Sequence, residues 1–258
     1  MTSNKQAYFV KFNNAKRFPR MYECESFGLK ALAATKAVNI PTVLKHGDVE
    51  DMTYLVLEYI EPAKPSTRPA LSGANVALVQ LGHDLATLHK QPQHQFGWSH
   101  DNYIGSLPQH NNWSNDWQTF YSTQRVLPLC EKLLSTRVFQ QTDIDQCKRF
   151  LDKHHNFIPT EPPGLVHGDL WSGNYLIDNN GKPYLIDPAC YFGHREMDIA
   201  MTQLFGGFGD DFIQAYNATH PLQEGWQQRL AYFQLYPLLV HDVIFGGGYV
   251  DSVRRTIA

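Results

Sequence analysis

Residues 165–189, LVHGDLWSGNYLIDNNGKPYLIDPA, constrain the fold more than any other stretch of the chain. Two short apolar runs, YLI and PYLI, flank Asn180-Gly181. Asn-Gly between strand-like runs is a strong signal for a two-residue type I′ hairpin turn. Centred on that dipeptide, the hairpin sets Ile177 opposite Tyr184, Leu176 opposite Leu185 and Tyr175 opposite Ile186. The next pair outward is Asn174 with Asp187. Directly opposed residues project to one face of a sheet, so this register expects the two oxygen-bearing side chains side by side at the open end.

Two adjacent oxygen donors suit a hard cation. Mg²⁺ takes one or two carboxylates and completes its shell with water and phosphate. Asp169 lies five residues before Asn174, in the loop His167-Gly168-Asp169. Asp and Asn also favour turns and helix caps, so D-x4-N alone is a weak signal. His-Gly-Asp before it and Ile-Asp-Pro after the hairpin sharpen it. The arrangement matches the needs of phosphoryl transfer: one carboxylate to orient and deprotonate a hydroxyl, an Asn and a second Asp to hold Mg²⁺ on the phosphates.

Such a site also needs a lysine for the phosphates and a glutamate to hold that lysine. Lys11 sits inside the strand-like run YFVKF, an unusual place for a charge. The helix expected at residues 23–38 offers Glu23 and Glu25. Helical spacing puts Glu25 on the face of Leu29, Leu32 and Ala33, so Glu25 is the expected partner and Glu23 is solvated. The run LVLEYIE reads as a strand entering a hinge, with backbone groups near Glu58, Tyr59 and Ile60 meeting the adenine edge of a nucleotide.

The rest of the chain is consistent with an α+β domain organised as two unequal lobes. Strand-like runs at residues 8–12, 42–46 and 53–59 surround that first helix. The Pro- and Ser-rich stretch IEPAKPSTRPALSG then breaks all periodicity and marks a lobe boundary, giving a small lobe at 1–61 and a larger one at 62–258. Helical patterns dominate beyond it, at 74–90, 113–134, 143–157, 197–205 and 223–240. The 258 residues suffice for a packed core, and a formal net charge of −3 without a Lys/Arg run argues against nucleic acid or a membrane surface as partner. The four cysteines, Cys24, Cys130, Cys147 and Cys190, lack CxxC spacing and read as reduced thiols of a cytoplasmic protein. LAYFQLYPLLVHDVIF is too short to span a bilayer and contains His241 and Asp242. Gly246-Gly247-Gly248 lacks GK[ST] and reads as a turn.

The segments VHGDLWSGNYLI, IDPACYFGHREMDIAMTQLFGGF, FGWSHDNYIG and LYPLLVHDVIFGGGY resemble the fructosamine (ketosamine) kinase family, within the wider group of aminoglycoside and choline phosphotransferases. The resemblance runs from about residue 8 to residue 255. The HGD-x4-N core belongs to the wider group; Trp171-Ser172-Gly173 and FGHRE-x-D narrow it. It implies a protein-kinase-like fold and ATP- and Mg²⁺-dependent phosphorylation of a sugar hydroxyl of ketosamines, free or protein-bound. By the same resemblance Asp169 is the catalytic base, Asn174 and Asp187 are metal ligands, and Lys11 and Glu25 are the phosphate lysine and its partner. Asp198 matches the acid that braces the catalytic loop, although an acid in the first turn of a helix also suits the helix dipole. His167, Trp171, His194, Arg195 and Glu196 are expected on the acceptor side or in structural roles. Trp113, Asp116, Trp117 and Arg125 resemble a family stretch and read as core.

One departure stands out. The family begins with two strands joined by a Gly-rich loop over the ATP phosphates, whereas here the lysine strand begins at about residue 8. The expectation that follows is weak ATP binding, slow turnover and an exposed edge on the lysine strand. Two rivals accompany the ketosamine reading: a kinase for another small hydroxylated amine, and a catalytically impaired remnant that acts by binding. ADP release with different acceptors separates them.

Overall fold

The computed structural model describes residues 7–63 and 76–258. The expected lobe boundary falls largely on residues 64–75, and the expected helix start at 74 falls there too; both lie outside the described residues, as do residues 1–6.

The chain opens with β1 (Tyr8–Asn14), α1 (Met21–Thr35), β2 (Val43–Val49) and β3 (Met52–Glu58). The strands form an antiparallel sheet in the order β1-β3-β2, with Lys11 opposite Leu55. β3 alternates as a half-buried strand must: Thr53, Leu55 and Leu57 are buried, and the two leucines pack with Met21, Tyr22 and Leu29 of α1. α1 ends at Lys36, whose left-handed φ of 56° caps the helix. β1 lies at an edge of the sheet among the described residues, with Tyr8, Phe9, Val10 and Phe12 exposed.

The second part contains α2 (Val76–His89), the hairpin β4 (Asn102–Ile104) and β5 (Leu107–Gln109), α3 (Trp117–Phe120), a π-helical turn (Tyr121–Val126), α4 (Leu127–Ser135) and α5 (Gln141–His154). Then come β6 (Gly164–Val166), β7 (Tyr175–Ile177), β8 (Pro183–Leu185), β9 (Tyr191–Gly193), α6 (Glu196–Leu204), α7 (Gly209–Thr219), α8 (Trp226–Phe245) and α9 (Tyr249–Ile257). β6 pairs with β9 and β7 with β8, both antiparallel. The main core joins α3, the π-helical turn and β9 to α6, α8 and α9 through Phe120, Tyr121, Tyr191, Ala200, Phe233 and Val253. α8 carries Pro237 in its interior. The Tyr121 hydroxyl donates to the Tyr232 carbonyl at 2.7 Å and accepts from the Tyr236 N–H at 3.2 Å, so a side chain repairs the helix ladder where the proline disturbs it. Gly246 (φ 62°) and Gly247 (φ 70°) make the expected turn after α8.

Three expectations need correction. The helix expected from residue 113 begins at Trp117, because the Asp116 carboxylate caps it by accepting the Thr119 N–H at 2.7 Å. α7 and α9 have no counterpart among the expected helices. The β7–β8 register is displaced by one residue: Tyr175 faces Leu185, Leu176 faces Tyr184 and Ile177 faces Pro183. Asp178 causes the shift. Its Oδ1 accepts the N–H of Asn180 and of Lys182, each at 2.9 Å, and the turn then closes with Gly181 alone at positive φ (81°) rather than as a type I′ pair.

Candidate active site

The displaced register changes how Asn174 and Asp187 meet. Asn174 is bonded to Ile186, whose N–H reaches the Asn174 carbonyl at 3.0 Å. Asp187 lies one step beyond, in a left-handed conformation with φ 53°. That turn of the backbone, rather than direct opposition across a ladder, sends the Asp187 carboxylate into a cavity of about 410 Å³. Lys11, Glu25, Asp169, Trp171, Asn174 and Asp187 line this cavity together.

Asn174 donates from Nδ2 to the Asp169 carbonyl (2.8 Å) and to the Asp169 carboxylate (2.9 Å). Both amide protons are thereby engaged, and its Oδ1 remains as an acceptor at the cavity. Burial pushes the Asp169 carboxyl up to about 7, with the charges of Asp187 and Asp198 adding to the rise and the Asn174 amide opposing it. A carboxylate poised near neutral pH suits a proton acceptor.

Lys11 reaches across from β1. Its ammonium lies 2.8 Å from both oxygens of Glu25 and 3.1 Å from Asp187 Oδ1. Burial works against the Lys11 charge, but the Glu25 and Asp187 carboxylates outweigh it and hold the pKa above its ordinary value. Glu23 pairs with Arg20 on the exposed side of α1, at 2.7 Å, as its position off the apolar face predicts. Glu58, Tyr59 and Ile60 line a separate, mostly apolar slot of about 130 Å³ with Phe9, Leu57, Leu176 and Ile186, and Asp187 borders both spaces.

The loop that carries Asp169 is held from behind. Asp198 accepts the backbone N–H of His167 at 2.7 Å and of Gly168 at 2.9 Å, and the His89 Nε2 at 3.0 Å. Burial alone would raise the Asp198 carboxyl, but the His89 hydrogen bond and the surrounding positive potential leave it below the ordinary value. His167 is fully buried, and burial depresses its pKa. Its Nε2 donates to the Ile186 carbonyl at 2.9 Å and its Nδ1 accepts the Asp169 N–H at 3.3 Å, so the neutral ring couples the loop to the strand leading into Asp187. Gly168, with φ 83°, is required twice over: a Cβ there would sit 2.2 Å from the Ala189 carbonyl oxygen.

The acceptor-side expectations divide. Trp171 lines the cavity, folded back over Gly173, where a Cβ would lie 2.4 Å from the indole. His194, Arg195 and Glu196 are buried away from it. Arg195 is held by Glu161 at 2.6 Å and Glu196 by Arg229 at 2.5 Å, so these charges are partnered inside the fold. Sequence reasoning missed His89, because a lone histidine at a helix end carries no pattern. It also missed His241 and Phe245, which line the cavity from α8. His241 Nδ1 donates to the Pro237 carbonyl at 2.8 Å and its ring packs 4.5 Å from Phe205.

Among the described residues no cluster of three or more His, Cys, Asp or Glu side chains forms a closed metal cage. One carboxylate with a neighbouring amide oxygen is instead an open donor set, which fits Mg²⁺ shared with a phosphate-bearing ligand. Among the described residues no helix is long and apolar enough to cross a membrane.

The sequence profile of the fructosamine kinase family matches residues 1–258. A probable ketoamine kinase of Synechocystis sp. is 37% identical over 261 residues, covering 100% of this chain and 84% of the relative. The chloroplastic protein-ribulosamine 3-kinase of Arabidopsis thaliana is 35% identical, over 97% of this chain and 75% of its own. A crystal structure of a putative fructosamine-3-kinase from Thermobifida fusca superposes with a TM-score of 0.86 at 33% identity, covering 99% of this chain and 85% of that one. A thermostable mutant of the aminoglycoside phosphotransferase APH(4)-Ia, in a ternary complex with AMP-PNP and hygromycin B, shares the fold with a TM-score of 0.62 at 18% identity, covering 98% of this chain and 87% of that one.

Proposed function

The chain belongs to the fructosamine kinase family, and from that premise we propose that it transfers a phosphoryl group from ATP to a sugar hydroxyl of a ketosamine, free or carried on a protein. The convergence of Asp169, Asn174, Asp187 and Lys11 on one cavity that meets an apolar slot at Asp187 carries this reading. The slot beside Glu58, Tyr59 and Ile60 takes the adenine, with Leu57, Leu176 and Ile186 as its apolar walls. Lys11, steadied by Glu25, meets the phosphates. The small lobe, 1–61, thus supplies most of the nucleotide side, with Leu176 and Ile186 closing the slot from the larger lobe, 62–258, which carries the catalytic and acceptor-binding residues. Asp187 and the Asn174 oxygen hold Mg²⁺, which neutralises phosphate charge when bound.

Asp169 accepts the proton of the attacking hydroxyl. Its half-buried carboxylate, oriented by Asn174, needs little reorganisation to do so. Trp171, His241 and Phe245 supply a largely apolar wall on the acceptor side, against which a sugar ring and its amine carrier can lie. His241 uses Nδ1–H on Pro237, leaving Nε2 as an acceptor for a substrate hydroxyl or ammonium. Four free, buried cysteines agree with a reducing compartment, and we place the protein in the cytoplasm.

An ADP-release assay with a panel of ribulose- and fructose-derived amines, small and protein-bound, tests the proposal. Turnover confined to ketosamines supports it. Turnover on an aminoglycoside or choline in preference to every ketosamine overturns the acceptor assignment.

A further inference from the structure

Behind the Asp187 segment lies a buried polar chain that the reaction as described does not use. Arg125, in the π-helical turn, is fully buried, and no carboxylate lies within ion-pair distance of it among the described residues. Its guanidinium stacks 4.1 Å from the Tyr191 ring centre and 4.6 Å from that of Phe120. It donates to the carbonyls of His110 and Gln124 and, at 2.6 Å, to Asn111 Oδ1. Asn111 Nδ2 donates to Asn102 Oδ1 at 2.8 Å, and Asn102 Nδ2 donates to the Cys190 carbonyl at 2.8 Å. Gln109 Nε2 donates to the same Asn102 oxygen (2.8 Å) and to the Ala189 carbonyl (3.2 Å), and its Oε1 accepts the Tyr236 hydroxyl at 2.8 Å.

The chemistry of the two ends orients every link. Arginine can only donate, so Asn111 must present its oxygen to Arg125 and its NH₂ to Asn102. Asn102 must then present its oxygen to Asn111 and its NH₂ to the Cys190 carbonyl, which can only accept. No amide in the chain can turn over without leaving a buried group facing its like, and a buried unmatched polar pair is costly.

The chain ends on the two carbonyls just beyond Asp187, the one non-glycine residue of this site with left-handed backbone. Such a conformation persists only where its surroundings over-determine it. On the N-terminal side Ile186 is tied to Asn174 and His167. On the C-terminal side the Ala189 N–H is tied to the His167 carbonyl at 2.9 Å, and the carbonyls of Ala189 and Cys190 are held by Gln109 and Asn102. We propose that Arg125, Asn111, Asn102 and Gln109 form a positioning relay that keeps Asp187 in its left-handed conformation and so sets the metal geometry of the cleft. This inference rests on the reading of Asp187 as a metal ligand.

The test uses Asn102→Leu and Gln109→Leu, which remove the donors at similar volume, and Arg125→Lys, which keeps the charge but loses the planar fork. Mn²⁺ is titrated calorimetrically into each variant in the presence of ADP, with Asp187→Ala as reference and a cooperative melt as the control for folding. Each relay variant is expected to weaken Mn²⁺ binding about tenfold, the lower range for residues that support metal ligands. Asn102→Leu is expected to add nothing in the Asp187→Ala background. Folded amide variants with wild-type Mn²⁺ affinity, beside a weakened Asp187→Ala, overturn the relay alone; so does a double variant whose losses multiply. Unchanged Mn²⁺ binding in Asp187→Ala overturns the metal reading and the relay with it. Should Arg125→Lys fail to fold, the two amide variants decide.

Discussion

Asp169→Asn separates the catalytic value of the carboxylate from its effect on stability. Burial raises the Asp169 carboxyl from an ordinary 3.8 to about 7 in the folded protein. Between those values the folded state keeps a proton that the unfolded chain has released, so folding stability falls as pH rises through that window. One proton of difference corresponds to about 1.4 kcal/mol per pH unit. Over roughly three units the charge costs the wild type on the order of 4 kcal/mol at and above neutral pH. Asparagine keeps the shape and an oxygen for the Asn174 amide, and it does not titrate. The variant is therefore expected to be more stable than wild type, by a margin that grows from about pH 4 to 7 and then levels off. Turnover at about pH 7.5 is expected to fall by about 10²–10⁴-fold, the usual contribution of a general base. Urea unfolding of both proteins at a series of pH values, without nucleotide and with a chelator present, measures the first effect; ADP release measures the second. A stability difference that is flat with pH, or that shrinks towards neutrality, refutes the argument that burial destabilises the Asp169 charge. Unchanged turnover in a folded variant refutes its role as base.

Asp198→Ala leaves the buried N–H of His167 and the part-buried N–H of Gly168 without their acceptor, and a buried unsatisfied donor costs about 1–3 kcal/mol; the expected result, read by thermal unfolding and ADP release together, is a lower Tm and a larger loss of kcat than of ATP affinity. Gly168→Ala combines a φ of 83° with a Cβ 2.2 Å from the Ala189 carbonyl oxygen, so destabilisation of about 2 kcal/mol or more and loss of turnover are expected; a wild-type melting curve counts against so close an approach of the two loops. Asp187→Ala is expected to raise the Mg²⁺ concentration for half-maximal ADP release more than Asn174→Ala does, because it removes a full charge; equal Mg²⁺ titrations for wild type and both variants contradict the ligand assignment. Lys11→Met is expected to weaken ATP binding and to leave Glu25 buried without its cation at 2.8 Å, destabilising the fold by about 3 kcal/mol; calorimetry with ATP and a urea titration check the two parts separately.

Local chemistry carried a large part of this protein's description. The apolar alternation of β3, the Glu25 face of α1 and the polar ends of the β7–β8 hairpin depend on spacings that any reader of the chain can count. Helical spacing was enough to choose Glu25 over Glu23 as the partner that a phosphate-site lysine needs, and Lys11 meets it across 14 positions. Spacing was also enough to single out Asp169, Asn174 and Asp187. Tertiary structure decided what spacing cannot encode. The hairpin register itself moved by one residue through a local side chain, Asp178, but it is Asn39, from the far side of the chain, that holds the hairpin in place by bonding Pro183 and Leu185, with Asp187 reaching the cleft through its backbone conformation instead of its ladder position. His194, Arg195 and Glu196 stand in a segment that looks functional, yet Glu161 and Arg229 draw two of them into buried pairs from 34 and 33 positions away. His89 joins Asp198 across 109 positions, and Arg125 reaches back to Asn111 in the β5–α3 connection. A periodic pattern reports which face of its own element a residue occupies. Which distant partner meets it there is set only when the layers pack, because burial removes water as the alternative partner and makes each polar group dependent on whatever the fold brings within reach.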